Sequence, residues 1–361
     1  MREHSAARSA KLLLRNAAQQ LHTADPVHEL GDMLDESLAR PAGDHGYLGR
    51  PTLEPVFAET AAGRLAFDLL PGGPWASPRH RVAAATETVR RATARNFGRS
   101  ALHWLDGQLE VKGALGGRSS TWGASLGSGF GRDGLLESAV HLEWGPQLME
   151  SLPAPLHRAA QVVMESLPGA RPALSTVCAM RHGGSQQVTF EVPQALRLER
   201  LRPVMERLGL GHQHASLVSA VALLLGARYT LPPKAAMLNV RVGRSGVSLR
   251  LDVDLDAIPD PPPEMTRLLR LQMAERPMSL RTFQCWAAAL TPEGYDGPGR
   301  LSILSVVVRP DLPARLSLHL RPAVIEQPPR RSRDRDDDDE VWTMPRDDVP
   351  ASAWLPAGVA P

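Results

Sequence analysis

Three segments of the chain alternate apolar and polar residues almost without a break: Ala139–Trp144, Ser248–Leu255 and Arg315–Pro322. Successive side chains of a strand point to opposite faces. Each segment therefore presents one apolar face and one face rich in His, Arg, Asp and Glu. Between the second and third, the apolar spacing switches to a helical period and then back to another strand. A similar order follows the first. The chain reads as a β-α-β-β unit used more than once.

The remaining elements follow from local signals. Residues 1 to about 40 read as one or two amphipathic helices broken at Asp25-Pro26. Residues 41–52 read as a linker, and a first strand is expected over Arg64–Leu70, closed by Pro71-Gly72-Gly73-Pro74. Ser77 at the N-cap and Pro78 behind it start a helix that runs to Asn96. Residues 113–134 are rich in Gly and Ser. They lack a P-loop lysine and a dinucleotide fingerprint, so kinked strands or a structural loop are expected ahead of a phosphate cradle. Further helices are expected near 153–167, 196–208, 213–227, 264–275 and 280–290. Hairpins are expected at Leu174–Val192 around Gly183-Gly184 and at Ala236–Leu255 around Gly243–Gly246, and strands at Arg300–Arg309 and Ala314–Leu320. The expected division is an N-terminal helical segment and linker (1–50), a barrel domain (51–326) and a disordered charged tail (327–361) built around Arg330–Glu340.

A sheet with one charged face has two common solutions. It can turn that face to water, or it can close so that the polar side chains line a lumen inside a coat of helices. If it closes, parity places His141 and Glu143 inside. With them go Gln187, Thr189 and Glu191; Asn239 and Arg241; Arg250, Asp252 and Asp254; and Ser317, His319 and Arg321. Arginines on adjoining strands suit a diphosphate through bidentate, charge-assisted bonds. A nearby carboxylate suits proton transfer.

Composition narrows the classes. The net charge of +2 argues against a nucleic-acid binder. Lys11, Lys112 and Lys234 are the only lysines, so cation chemistry here is arginine chemistry, a bias that codon usage in a GC-rich genome also produces. Cys178 and Cys285 are too few for a disulfide framework and read as reduced. No segment has the length of a membrane span or the form of a secretory signal, which makes a cytoplasmic protein the expectation. There is no Gly-x-Ser-x-Gly elbow and no His-Glu-x-x-His helix, and His212-Gln213-His214 at a helix start reads as surface or capping, not a metal site.

Taken together, the β-α-β-β order, the lumen-type alternation and the closing strand Leu318-His319-Leu320-Arg321-Pro322 resemble aromatic prenyltransferases of the ABBA fold, the dimethylallyltryptophan synthase-like proteins. The resemblance implies an α+β fold: an antiparallel β-barrel with a polar lumen inside a ring of helices. It implies transfer of a prenyl group from an allylic diphosphate to an aromatic small molecule or peptide side chain. The diphosphate is co-substrate, and no cofactor or metal is implied. Pro55–Glu59 followed by Arg64–Phe67 is similar to the family's opening segment, where a Glu precedes a diphosphate-binding Arg. Glu59 is accordingly the expected catalytic carboxylate. Arg64, Arg241, Arg250, Arg321, His141 and His319 are the expected substrate-binding residues, with His319 where members carry Tyr.

The chain departs from the family in its tyrosines. Tyr47, Tyr229 and Tyr295 are the only ones, and none lies in an expected lumen strand. Trp122, Trp144, His141 and His319 are the candidates to face a cation in their place. The chain therefore reads as a divergent member, with a catalytically inactive binding or assembly protein on the same scaffold as the alternative.

Overall fold

The computed structural model describes residues 6–39, 52–61, 63–73, 76–114, 121–243, 246–259 and 265–326. The expected linker before Thr52 and the charged tail after Glu326 lie outside the described residues. Ten strands close into an antiparallel barrel. They are β1 (Leu53–Ala58), β2 (Leu65–Leu69), β3 (Ala124–Gly131), β4 (Gly134–Glu143), β5 (Arg171–Met180), β6 (Gly183–Val192), β9 (Ala236–Gly243), β10 (Gly246–Asp254), β11 (Gly299–Arg309) and β12 (Leu312–Pro322). Two short strands, β7 (Leu196–Arg197) and β8 (Thr230–Leu231), pair with each other outside it. Around the barrel the order β1-β12-β11-β10-β9-β6-β5-β4-β3-β2 makes successive hairpins neighbours, and β1 closes on β12 through Val56–His319, Phe57–Leu318 and Ala58–Ser317. Closure removes every sheet edge, which explains why the unit has to repeat.

The helices fill the connections. They are α1 (Ala6–Leu21) and α2 (Val27–Ser37) before the barrel, then α3 (Pro78–Asn96) and α4 (Arg99–Val111). There follow α5 (Ala154–Ser166), α6 (Arg202–Arg207), α7 (His214–Leu224), α8 (Met265–Ala274), α9 (Pro277–Ala289) and α10 (Ala323–Glu326). All five hairpins therefore lie at one end of the barrel, and the helical connections leave from the other. Among the described residues no helix is long and apolar enough to cross a membrane.

The outward strand residues are apolar and meet the helices. Phe67, Leu126, Val140, Val188, Phe190, Val240, Leu251, Val306 and Leu318 are all essentially removed from solvent. Each such side chain contributes about 1.5–3 kcal/mol of burial free energy. The helices answer with matching stripes. Ala7, Ala10, Leu13, Leu14, Ala17 and Ala18 recur at helical spacing on α1 and join the same core as the barrel. Helix α9 docks through Phe283 and Trp286, whose rings sit 5.4 and 5.7 Å from that of Phe57 on β1.

The expected elements differ from the observed ones in three places. The first strand is Leu53–Ala58, not 64–70, which is the second. Pro55 argues against a strand in the sequence, but it stands ahead of the residues paired with β12 and interrupts no rung of that ladder. Helix α4 carried no start signal, since Gly98 precedes it with φ 86° and no side-chain cap. The helix expected over 196–208 is divided into β7, a 3-10 turn (Leu198–Leu201) and α6, which Pro203 opens.

Candidate functional site

The lumen is polar because every strand turns its second face inward. At the end where the helices attach it opens into a cavity of about 520 Å³. Strand parity brings His141, Glu143, Arg250, Asp252, His319 and Arg321 to its wall, and the apolar parts come from residues such as Trp122, Trp144, Leu174 and Ile303. Glu54 and Asp68 face each other across the β1–β2 ladder and line it as well.

A polar belt runs through the cavity wall. Asn239 donates to Asp252 at 2.6 Å and accepts from Gln187 at 2.8 Å and Thr189 at 2.5 Å. Arg250 pairs with the same Asp252: its Nη2 donates to Oδ2 at 3.0 Å, and its Nε lies 2.8 Å from Oδ1. Arg321 reaches over to Asp256 at 2.8 Å.

Asp68 is the centre of the cavity wall. His141 Nε2 lies 3.6 Å from its Oδ1, and His319 Nδ1 lies 3.7 Å from its Oδ2. Burial alone would raise this carboxyl, but the close contact and charge of His141, with the charges of His319 and Arg250, outweigh it and hold Asp68 at about 2. His141 is oriented by Thr176, 2.9 Å from its Nδ1. His319 is buried, and neither of its ring nitrogens makes a hydrogen bond. The arrangement needs glycine on β3. A Cβ at Gly127 would sit 2.8 Å from Asp68 Oδ1 and 2.9 Å from His141 Nε2. The Gly-rich stretch is thus strand that lets side chains lie across it, as expected.

The mouth of the cavity is fixed by backbone bonds. The Glu143 carboxylate accepts from the N–H groups of Thr121, Trp122 and Gly123 at 2.7, 2.7 and 3.1 Å. Arg81, buried beneath, donates to the carbonyls of Trp122 and Gly73. Burial pushes the guanidinium of Arg81 down and the carboxyl of Asp254, at the rim, up.

Toward the hairpin end the lumen changes sign. Arg64 approaches Glu137 at 3.8 Å, and Arg241 lies one register step beyond the belt, opposite Gln187. Both arginines and Glu137 act on the thiol of Cys178, which faces the lumen between them; burial, with Glu137, pushes it up to about 12. The thiolate is therefore scarce at neutral pH.

Of the residues expected to form the site, His141, His319, Arg250 and Arg321 line the cavity and Arg64 and Arg241 flank its basic end. Glu59 is placed elsewhere. It sits in a 3-10 turn (Glu59–Ala61) outside the lumen, its side chain fully buried. Its Oε1 pairs with Arg276 at 3.0 Å and its Oε2 accepts from the N–H of Leu316 at 2.6 Å. The parity of Leu53-Glu54-Pro55-Val56-Phe57 and of Leu65-Ala66-Phe67-Asp68-Leu69 was the signal that pointed to Glu54 and Asp68 instead. Ser302, whose hydroxyl donates to Glu54 at 2.6 Å, reaches the cavity through a bulge between Leu301 and Ile303 that no alternation pattern reveals. His212 and His214 contact separate carbonyls, those of Pro310 and Leu198. Among the described residues no group of three or more His, Cys, Asp or Glu side chains is arranged for a metal ion.

No protein-family model matches the sequence, and no curated protein sequence is similar to it. Solved structures do match. A 6-dimethylallyl tryptophan synthase superposes with a TM-score of 0.70 at 14% identity, covering 91% of this chain and 99% of its own. The 5-dimethylallyltryptophan synthase from Streptomyces coelicolor gives 0.68 at 16% identity, with 90% and 99% covered. The prenyltransferase PriB gives 0.67 at 13% identity, with 91% and 99% covered. The chain therefore has the ABBA fold of aromatic prenyltransferases. The S. coelicolor enzyme has also been solved with DMASPP and Trp. At these identities the likeness carries the architecture, and the chemistry has to be argued from the lumen itself.

Proposed function

We propose that the barrel transfers a prenyl group from an allylic diphosphate to an aromatic acceptor. The observation that supports this reading is the separation of charge along one closed lumen. Arg64 and Arg241 gather at the hairpin end, and the cavity with its carboxylates and indole rings lies at the other. The diphosphate belongs with the arginines, which supply the positive field that a phosphoanhydride leaving group needs. Arg250 stands at the boundary and exchanges part of its grip on Asp252 for phosphate oxygens. The allylic C–O bond breaks, its electron pair leaves with the diphosphate, and the allylic cation faces the cavity. Trp122 and Trp144 are the aromatic faces near it. A nucleophilic atom of the acceptor attacks, and the displaced proton goes to a carboxylate. Glu54, buried on the wall beside Ser302, takes the part that the sequence assigned to Glu59.

A second reading is favoured by a specific observation: Arg250 and Arg321 already hold Asp252 and Asp256. A lumen whose arginines are internally paired fits a catalytically inactive binding or assembly protein. Incubation with dimethylallyl or geranyl diphosphate and a panel of aromatic acceptors, read by mass spectrometry, separates the two. A prenylated product, with diphosphate binding weakened about tenfold by Arg241→Gln, is the expected result. No product and no calorimetric binding of the diphosphate leaves the inactive reading standing.

A further inference from the structure

Trp122 belongs to no strand or helix, yet both of its peptide groups are held by charged side chains. Its N–H donates to Glu143 at 2.7 Å, and its carbonyl accepts from Arg81 at 2.9 Å. Glu143 ends β4 and Arg81 lies in the first turn of α3, so two separate elements grip one residue. The N–H groups on either side, those of Thr121 and Gly123, bond the same Glu143 oxygen. The Glu143 N–H in turn donates to the Gly123 carbonyl at 3.0 Å. A Cβ at Gly123 would stand 2.4 Å from the Pro78 carbonyl oxygen, so glycine lets this stretch lie close against α3.

Ladder bonds hold a strand residue without burying any charge. A buried guanidinium that serves backbone carbonyls is a costly way to hold a loop. Arg81 is 2% exposed, and burial pushes its guanidinium down. It also donates to the Gly73 carbonyl, three residues beyond Leu70, so the loops after β2 and before β3 are tied together. Both loops supply cavity wall, Leu70 from the first and Trp122 from the second. Among Gly73, Thr121, Trp122 and Gly123, the backbone groups so held, Trp122 alone carries an aromatic ring. A ring whose backbone is already fixed loses little freedom when a ligand stacks on it.

We infer that Glu143 and Arg81 are positioning residues for the aromatic ligand. By clamping the backbone of Trp122 they fix its indole as the face on which the acceptor's ring stacks. The inference deepens the proposed function, and it rests on that reading only in calling the ligand an acceptor, because binding without a donor tests it. The clamp acts through geometry. It therefore governs the affinity for flat rings and leaves that for saturated rings of the same frame nearly unchanged.

Calorimetry on the full chain, without any prenyl donor, compares 2-naphthol with decahydro-2-naphthol, which has the same carbon frame and no aromatic face. 2-Naphthol is expected to bind about fivefold tighter. Trp122→Leu is expected to abolish that preference. Glu143→Ala, and the milder Glu143→Asp whose carboxylate falls one methylene short, are expected to reduce it to within about twofold. Glu143→Gln, which keeps an oxygen acceptor at the same reach, is expected to restore most of it. A merely structural clamp gives another pattern: Glu143→Ala unfolds at lower urea while the folded protein keeps the full preference. That pattern overturns the inference, as do equal affinities for the two probes in the unaltered protein, or no saturable binding of either. In turnover with dimethylallyl diphosphate, Glu143→Ala is expected to raise the acceptor KM with kcat changed by less than about twofold. A fall in kcat at constant KM overturns the inference. The ring preference without any prenylated product removes the prenyl-transfer reading and leaves this one. A prenylated product, with the preference intact in Glu143→Ala, does the reverse.

Discussion

Two carboxylates near the start of the barrel, one sealed and one partly open, illustrate the difference between its seam and its chamber. Glu59 lies in the seam between the barrel and α8–α9, closed on Arg276 at 3.0 Å and on the N–H of Leu316. Asp68 lies on the chamber wall, with its two histidines at 3.6 and 3.7 Å and room beside it. A tight pair sealed from water is part of the framework, because its Coulomb energy is spent offsetting its own desolvation. A loosely matched group over a cavity keeps interaction energy in reserve for whatever enters. Exposure, the distance to the partner and the space beside the group together distinguish structure from site.

That contrast breaks first at Glu59. Glu59→Ala leaves the Arg276 guanidinium and the Leu316 N–H without their acceptor, and is expected to cost about 3 kcal/mol in urea unfolding. Ligand affinity of the folded fraction is expected to stay the same. The opposite pattern is expected at Gly127. Gly127→Ala places a methyl group against Asp68 and His141, so both must move by several tenths of an ångström. The expected cost is about 1 kcal/mol of stability, with about a tenfold fall in affinity for an aromatic acceptor by calorimetry.

The third test sharpens the comparison through pH. The folded-state value of Asp68, about 2, lies below its ordinary 3.8. Its stabilising contribution is therefore complete above about pH 4 and is lost as pH falls toward 2. Because the side chain is 35% exposed, solvent screening limits that contribution to about 1 kcal/mol. The stability difference between the protein and Asp68→Asn, followed by chemical unfolding, is expected to shrink by that amount between pH 5 and pH 2.

Much of the architecture was legible along the chain because strand and helix impose different periods on apolar residues. The hairpins β5–β6, β9–β10 and β11–β12, the helix from Pro78 to Asn96, and the inward face carrying His141, Arg250, Asp252 and His319 all follow from alternation and turn chemistry. Where local signals conflict with the context, the pattern misleads. Pro55 hides β1, a bulge turns Ser302 inward, and α4 begins without a cap.

The sequence by itself determined which faces are apolar, which residues share a face, and that most of the cations would be arginines. Tertiary structure decided that the sheet closes, that all five hairpins share one end, and that acid and base separate along the lumen. It also decided that Glu54, and not Glu59, faces the cavity. The reason is one of range. Periodicity is set by neighbours a few residues apart, whereas β1 meets β12 across nearly the whole described chain. Such a pairing is selected by the burial of an entire apolar face, which no local window contains.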